Sequence, residues 1–185
     1  KEQMELVEIT VARVLKEERI KTTLQKQQSR PELRLLHGGP GVGKSTVIKK
    51  IKEFFDKIMC WSPGVEYNIG SLQAIMAVAL GGETLHHIAG INPFTDSGTN
   101  EGFLAPEHVA KRLLQTRWLI IDEISMVSAN LLSMVEEKIR NAVVANGSYK
   151  HDSQGEVRPF GGLNALYVGD VYQLPPPDGV ALVSI

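Results

Sequence analysis

A run of eight residues in the first third of the chain has the composition of a phosphate-binding loop. It fits G-x-x-x-x-G-K-[ST] at every fixed position and reads Gly38-Gly39-Pro40-Gly41-Val42-Gly43-Lys44-Ser45. Glycines let successive backbone N–H groups curl around an anion, and the N-terminus of a following helix faces the same phosphates. The pattern predicts that the run from Gly39 through Thr46 binds ATP. Lys44 would reach the β- and γ-phosphates, and the Ser45 hydroxyl would ligate Mg²⁺.

Two adjacent carboxylates follow an apolar segment further along the chain. Asp122 and Glu123 come directly after Trp118-Leu119-Ile120-Ile121. Because parallel strands deliver their carboxyl ends to one edge of a sheet, Asp122 is expected to face the Mg²⁺ held by Ser45. Glu123 would orient and deprotonate the attacking water as a general base. Two neighbouring acids in one pocket repel each other without a cation, so the pair also predicts metal dependence.

The elements that must position these residues alternate between strand and helix, which is typical of an α/β fold with a parallel sheet flanked by helices. Apolar spacing predicts helices over residues 2–17, 47–59, 107–115 and 128–144. Short apolar runs predict strands over residues 33–36, 65–69, 117–121 and 165–168. The first of these strands and an additional helix over residues 72–80 are expected to be buried.

Composition limits the classes of protein that the chain can represent. The 20 Lys and Arg against 21 Asp and Glu give a net charge of -1, so the chain does not bind nucleic acid by bulk electrostatics. No apolar run approaches the ~20 residues that span a bilayer, which predicts no membrane association. The single cysteine, Cys60, excludes an intrachain disulfide, indicates a reducing intracellular compartment and is expected to be packed. An apolar end without an obvious partner suggests a piece of a longer protein.

Three further segments have a specific resemblance. They are Gly81-Gly82-Glu83-Thr84-Leu85-His86, Asp122-Glu123-Ile124-Ser125-Met126, and the stretch from Pro159-Phe160-Gly161-Gly162 to Gly169-Asp170-Val171-Tyr172-Gln173-Leu174-Pro175-Pro176. Together with the phosphate loop they resemble the motifs of the Pif (petite integration frequency) family of superfamily-one DNA helicases, which includes the Helitron-type transposon helicases. The resemblance runs from about Gln3 to Pro176.

The resemblance implies that residues 1–185 form the first RecA-like motor domain of a helicase that couples Mg-ATP hydrolysis to 5′ to 3′ movement on single-stranded DNA. By position, Gln173 would sense the γ-phosphate, and Asp170 would support either that sensor or the metal shell. Gln3 would read the adenine edge, and Thr84 and His86 would contact the DNA backbone. The partner that supplies transition-state arginines would be a second RecA-like domain absent from this chain. The isolated domain is therefore expected to bind nucleotide, hydrolyse it slowly and unwind nothing.

The family also implies a role in replication, repair, recombination, telomere maintenance or rolling-circle transposition, with a nuclear or mitochondrial location in a eukaryote. Two alternatives remain open: a RecD-like P-loop ATPase subunit and a non-catalytic nucleotide-binding remnant. One departure concerns the DNA path, because Gln73 and Ala74 stand where family members commonly carry Thr-Gly. His86 could instead cap a helix or pack in the core.

Overall fold

The computed structural model describes residues 2–20, 29–93, 105–144, 151–173 and 175–182. The helices are α1 Glu2–Glu18, α2 Lys44–Lys57, α3 Ala74–Ala79, α4 Leu85–Ala89, α5 Pro106–Arg112 and α6 Ala129–Val144. The strands are β1 Leu33–His37, β2 Tyr67–Ser71, β3 Glu83–Thr84, β4 Trp118–Asp122 and β5 Asn164–Gly169. Two 3₁₀ turns, Ile124–Met126 and Pro159–Gly162, complete the elements.

The five strands form one sheet in the order β1-β5-β4-β2-β3, and every neighbouring pair is parallel. The predicted α/β fold with a flanked parallel sheet is therefore confirmed. Strand β5, the last in sequence, lies between β1 and β4. The carboxyl ends of these three strands consequently lie side by side at one edge of the sheet.

Side chains alternate across the sheet and give each face its own core. In β4, Trp118 and Ile120 join one cluster, while Leu119 and Ile121 join the other. The first cluster packs α1 and α2 on the sheet through Val14, Val47, Ile48, Ile51 and Phe55. The second packs α4, α5 and α6 on the opposite face through Leu85, Ile88, Val109, Leu113, Val135 and Ile139. Both helical layers hold the sheet edge in place.

A buried asparagine fastens α1 to the amino ends of the strands. Asn164 is 2% exposed; its Oδ1 accepts from Glu32 N at 2.8 Å and from Arg13 Nε at 3.1 Å. Its Nδ2 donates to Glu17 Oε1 at 2.8 Å and to the Arg117 carbonyl at 3.2 Å. Four bonds satisfy the whole side chain. The network lies at the end of the sheet opposite the phosphate loop.

Three of the sequence predictions about burial are wrong. Strand β1 has Leu33 and Leu35 about half exposed, because the strand order places it at the edge of the sheet. Helix α3 spans only six residues and exposes Ile75 and Val78 instead of burying them. Cys60 is exposed rather than packed, in a left-handed conformation just after α2. Among the described residues, no helix combines the length and apolar character needed to cross a membrane.

Candidate active site

The phosphate loop connects β1 to α2 through glycines in conformations that other residues rarely adopt. Gly41 has φ 74° and Gly43 has φ 89°, both in the left-handed region. The Gly43 carbonyl accepts hydrogen bonds from Thr46 N at 3.0 Å and Val47 N at 3.2 Å, so α2 starts directly from the loop. The N-terminus of a 14-residue helix therefore points at the space the loop encloses, as an anion site requires.

Lys44 lies at the inner side of this loop. Its Nζ donates to the carbonyl oxygens of Gly38 and Gly39, the latter at 2.9 Å. Its positive charge also lowers the pKa of Asp122, against the larger opposing effect of burial. Ser45 and Thr46 are exposed in the first turn of α2. The loop thus presents one cation, and the first turn of α2 presents two exposed hydroxyls.

Asp122 is the last residue of β4 and is 3% exposed. Burial is the main influence on its pKa and raises it, and the charge of Glu123 acts in the same direction. The Glu123 backbone N–H and the Lys44 charge lower the pKa, but the net change is upward. The ionised carboxylate is therefore held in a place that disfavours it, and a bound cation would relieve that penalty.

Glu123 follows in a left-handed conformation with φ 53°, which is unusual for a residue with a β-carbon. It precedes the 3₁₀ turn Ile124–Met126 and is half-buried. Left-handed non-glycine residues are strained and cluster at functional sites, where the surrounding structure holds them. The sharp reversal sends the chain away from the strand and leaves the Glu123 side chain beside the cleft described below.

The end of β5 lies between the phosphate loop and this turn. Gly38 N donates to the Gly169 carbonyl at 3.3 Å. A β-carbon on Gly39 would lie 3.8 Å from Asp170 Oδ2, whereas one on Gly169 would lie 2.9 Å from Ile124 Cγ2. Asp170, itself 4% exposed, therefore lies beside the loop. Gly169, directly before it, packs against residues 123–126, which we call the acidic turn.

An open cleft brings Glu123 and Gln173 together. Its walls are formed by Glu123, Ser125, Met126, Tyr172, Gln173 and Pro175. The structure thus places the predicted base and the predicted sensor on one cleft. The charge of the predicted lysine acts on the predicted metal carboxylate, which directly precedes the base in the chain. All four lie at the edge where β1, β5 and β4 end.

The protein donors fit a magnesium ion that enters with a triphosphate. Mg²⁺ takes oxygen ligands, and proteins usually supply only one or two of them, the rest coming from phosphates and water. The Ser45 hydroxyl and the Asp122 carboxylate, which the sequence predicts as the metal ligands, carry oxygen atoms of this kind. Within the described ranges, no cluster of three or more His, Cys, Asp and Glu could hold a metal ion by itself.

The other predicted site residues lie elsewhere. Gln3 falls in the first turn of α1, and its side chain is outside the described residues. Thr84 ends β3, at the opposite edge of the sheet from β1, and its Oγ1 accepts from His87 N at 3.2 Å as the N-cap of α4. His86 is half-buried in α4, and burial lowers its pKa. Neither residue lines the cleft.

Two residues that sequence reasoning left without a role contact this site. His37 Nδ1 accepts from Val171 N at 3.4 Å, next to the sensor segment. Gln73 Nε2 lies 3.8 Å from Met126 Sδ and joins the start of α3 to the acidic turn. The rule that parallel strands end at one edge could have indicated His37, because it is the last residue of β1. Nothing local in the sequence indicates the Gln73 contact.

A glycine loop between a strand and a helix, an acidic pair at the end of a second strand and a strand inserted between the two define a RecA-like P-loop nucleotide-binding domain. The chain belongs to the PIF1-like helicase family, whose sequence profile matches residues 16–179. The resemblance inferred from the motifs is therefore confirmed.

Named relatives agree with this assignment. The chain is 35% identical over 150 residues to the ATP-dependent DNA helicase PIF1 of Candida albicans and 33% identical over 147 residues to the ATP-dependent DNA helicase RRM3 of Saccharomyces cerevisiae, each match covering 75% of the chain. It spans only 14% and 18% of those two proteins. Its fold is similar to the crystal structure of a Bacteroides Pif1 helicase in complex with ADP-AlF3 and ssDNA, with a TM-score of 0.57 and 30% identity over 85% of this chain and 34% of that one.

Proposed function

We propose that the chain is the first motor domain of an ATP-dependent DNA helicase, which binds and hydrolyses Mg-ATP and couples the cycle to 5′ to 3′ movement on single-stranded DNA. The observation that carries the proposal is the convergence of the loop cation, the buried acid and the cleft that joins Glu123 to Gln173. These parts supply a cradle for phosphate, a metal carboxylate, a base and a polar sensor at one edge of the sheet.

In this proposal each side chain has one task in phosphoryl transfer. The backbone N–H groups of the loop and the Lys44 ammonium bind the β- and γ-phosphates, and the Ser45 hydroxyl and the Asp122 carboxylate hold Mg²⁺. When bound, Mg²⁺ supplies charge neutralisation on the phosphate oxygens. Glu123 accepts a proton from the attacking water, and the Gln173 amide bonds to the γ-phosphate. Gln3 would contact the adenine edge.

The DNA-binding side of the proposal concerns β3, which lies at the other end of the strand order from β1. Thr84 and His86 would contact the strand backbone, and the Bacteroides relative is described as a complex with both ADP-AlF3 and ssDNA. The Thr84 hydroxyl accepts a hydrogen bond as the cap of α4, so it would contact a phosphate oxygen of DNA by donating its own O–H, which the cap does not use. The contact between Gln73 and Met126 joins the turn after Glu123 to the start of α3, the helix that precedes β3.

The remainder of the proposal concerns parts outside the chain. A second RecA-like domain would contribute the arginines that stabilise the transition state; such residues contribute about 10³ to 10⁵ in rate in related phosphoryl transfers. Slow hydrolysis by the isolated domain follows. A reducing compartment, the nucleus or mitochondrion of a eukaryote, and a role in repair, recombination or telomere maintenance are the corresponding proposals for its setting.

The test is ATP turnover stimulated by single-stranded DNA, measured in the complete natural polypeptide that carries the chain. Glu123→Gln keeps the shape of the side chain but removes the base, so turnover should fall by about 10² or more while nucleotide affinity stays within a few-fold. Glu137→Gln, on an exposed position of α6, is the matched control. Unchanged turnover in Glu123→Gln refutes the base assignment, and nucleotide binding without any turnover in the unmodified protein favours the non-catalytic alternative.

A further inference from the structure

His37 is the last residue of β1 and directly precedes the phosphate loop, yet its side chain contacts the segment that follows β5. Its Nδ1 accepts from Val171 N at 3.4 Å and lies 4.0 Å from Asp170 Oδ1. The imidazole also packs edge-on against the ring of Tyr172, with 5.3 Å between ring centroids. One side chain therefore touches three successive residues of the segment Asp170–Gln173.

The hydrogen bonds of that segment explain why the contact matters. Three successive backbone N–H groups each have an acceptor: Val171 uses His37 Nδ1, Tyr172 uses Asp170 Oδ1 at 3.0 Å, and Gln173 uses the Asp170 carbonyl at 3.0 Å. The second and third acceptors belong to the segment itself. The first comes from β1, so His37 ties the segment to the strand that carries the phosphate loop.

The position of the hydrogen bond between Val171 and His37 fits a role in catalysis. His37 pairs with Gly169 in the register of β1 and β5, so its backbone is already fixed next to the start of the segment. From there the chain runs through Tyr172 to Gln173, which lines the cleft with Glu123. Gln173 is itself exposed, and its backbone N–H bonds only within the segment. Its placement therefore depends on how firmly the beginning of the segment is held.

We propose that His37 is a positioning residue for the sensor: its unprotonated Nδ1 holds Val171 so that Gln173 is presented to the γ-phosphate. The inference rests on the proposed function. It assigns the hydrogen-bond acceptor, rather than the ring contact with Tyr172, as the part of His37 that acts. It also requires the tautomer that carries its proton on Nε2.

Two substitutions separate the acceptor from the ring. His37→Asn places an amide oxygen close to the position of Nδ1 and keeps the acceptor, whereas His37→Phe keeps a ring against Tyr172 and removes the acceptor. His108→Asn, on an exposed position of α5, is the matched control. The first readout is amide hydrogen exchange at Val171 in the 185-residue chain, which needs no catalysis. The second is kcat and KM for ATP in the complete polypeptide with single-stranded DNA.

His37→Phe should exchange the Val171 amide at least about 10-fold faster and lower kcat by about 10-fold with KM within about twofold, because a displaced sensor weakens the transition state more than binding. His37→Asn should resemble the unmodified protein in both readouts. Melting temperatures check that each variant folds, and His37→Asn keeps the test valid should His37→Phe not fold.

Equal Val171 exchange in His37→Phe and the unmodified chain overturns the inference. A rise in KM with unchanged kcat also overturns it, because that result would place His37 in nucleotide binding. If the exchange responds as expected but the unmodified polypeptide does not hydrolyse ATP, the hydrogen bond from Val171 to His37 is confirmed as a structural contact. The proposed function and the catalytic role of this contact then both fail.

Discussion

Replacing Asp122 by asparagine should make the nucleotide-free chain more stable at neutral pH. The carboxylate is 3% exposed, and burial, followed by the charge of Glu123, raises its pKa against the opposing effects of the Glu123 backbone N–H and Lys44. An asparagine has the same shape and retains an oxygen for the Glu123 N–H. It carries no charge to desolvate and none to be repelled by Glu123, and it loses only the attraction to Lys44.

The sign of the pH dependence follows from the raised pKa. Below the unfolded-state pKa of about 3.9 the group is protonated in both states, so the folded chain carries no penalty. The penalty grows as the pH rises from that value to the higher folded-state pKa, and it is constant above. One relieved charge, partly offset by the lost attraction to Lys44, should stabilise the variant at pH 7 by about 1 kcal/mol. For a chain of this size that gain raises Tm by about 3 °C.

Thermal unfolding followed by circular dichroism between pH 4 and pH 7 measures the effect, with the exposed Asp178→Asn as the control. The gain should be largest at pH 7 and shrink toward pH 4. Mg-ADP at about 100 times Kd should stabilise the unmodified chain by about 2.7 kcal/mol. The variant lacks the metal carboxylate and should gain much less, so the order of the two Tm values reverses.

A less stable Asp122→Asn chain at pH 7 without nucleotide would refute the reasoning from burial. An equal gain in Tm with Mg-ADP in both chains would refute the assignment of Asp122 to the metal. The two results are independent because the first measures the cost of burying the carboxylate and the second measures its contribution to the binding of Mg-ADP. A gain in stability on removal of a charged group is expected where that group is kept for function.

Three further expectations concern the framework and the loop. Asn164→Ala removes four hydrogen bonds and should lower the unfolding free energy by about 3 kcal/mol in urea titrations; an effect no larger than that of exposed Asn130→Ala would contradict the network. Gly82→Ala places a β-carbon 2.2 Å from the Ile69 carbonyl oxygen and should lower stability by about 2 kcal/mol or more, measured the same way; a neutral result would disprove the close approach. Lys44→Ala should weaken binding of a fluorescent ADP analogue by about 10-fold in a chain that circular dichroism shows to be folded, and unaltered affinity would exclude Lys44 from phosphate binding.

Local sequence carried enough information for the phosphate loop and the acidic strand. Gly41 and Gly43 of the loop have positive φ values, which glycine adopts readily, and the apolar run before Asp122 forms a strand in which every residue is buried. The alternation of elements likewise predicted the parallel sheet. These features depend on neighbours in the chain, so residue type and spacing were sufficient to predict them.

The errors concern features that depend on distant parts of the chain. The exposure of β1 follows from the strand order, which no local pattern encodes. The two-residue strand β3 is too short to show a period, so the segment around Thr84 was predicted as a motif without its strand and helix. The contact between His37 and Val171 joins residues 134 positions apart, and only the register of β1 with β5 makes it possible.

Because β5 lies between β1 and β4, the predicted sensor Gln173 follows a strand that adjoins both the phosphate loop and the acidic turn. A side chain at the end of β5 lies next to the loop on one side and the turn Ile124–Met126 on the other, because Gly39 approaches Asp170 and Gly169 approaches Ile124. A change at the γ-phosphate that moved the end of β5 would therefore reach the acidic turn through the packing of Gly169 against Ile124. From that turn, Met126 touches Gln73 at the start of α3, which leads to β3 and α4. Under the proposed function, these contacts predict that Gln73→Ala leaves ATP turnover without DNA intact and reduces its stimulation by single-stranded DNA, measured in the complete polypeptide.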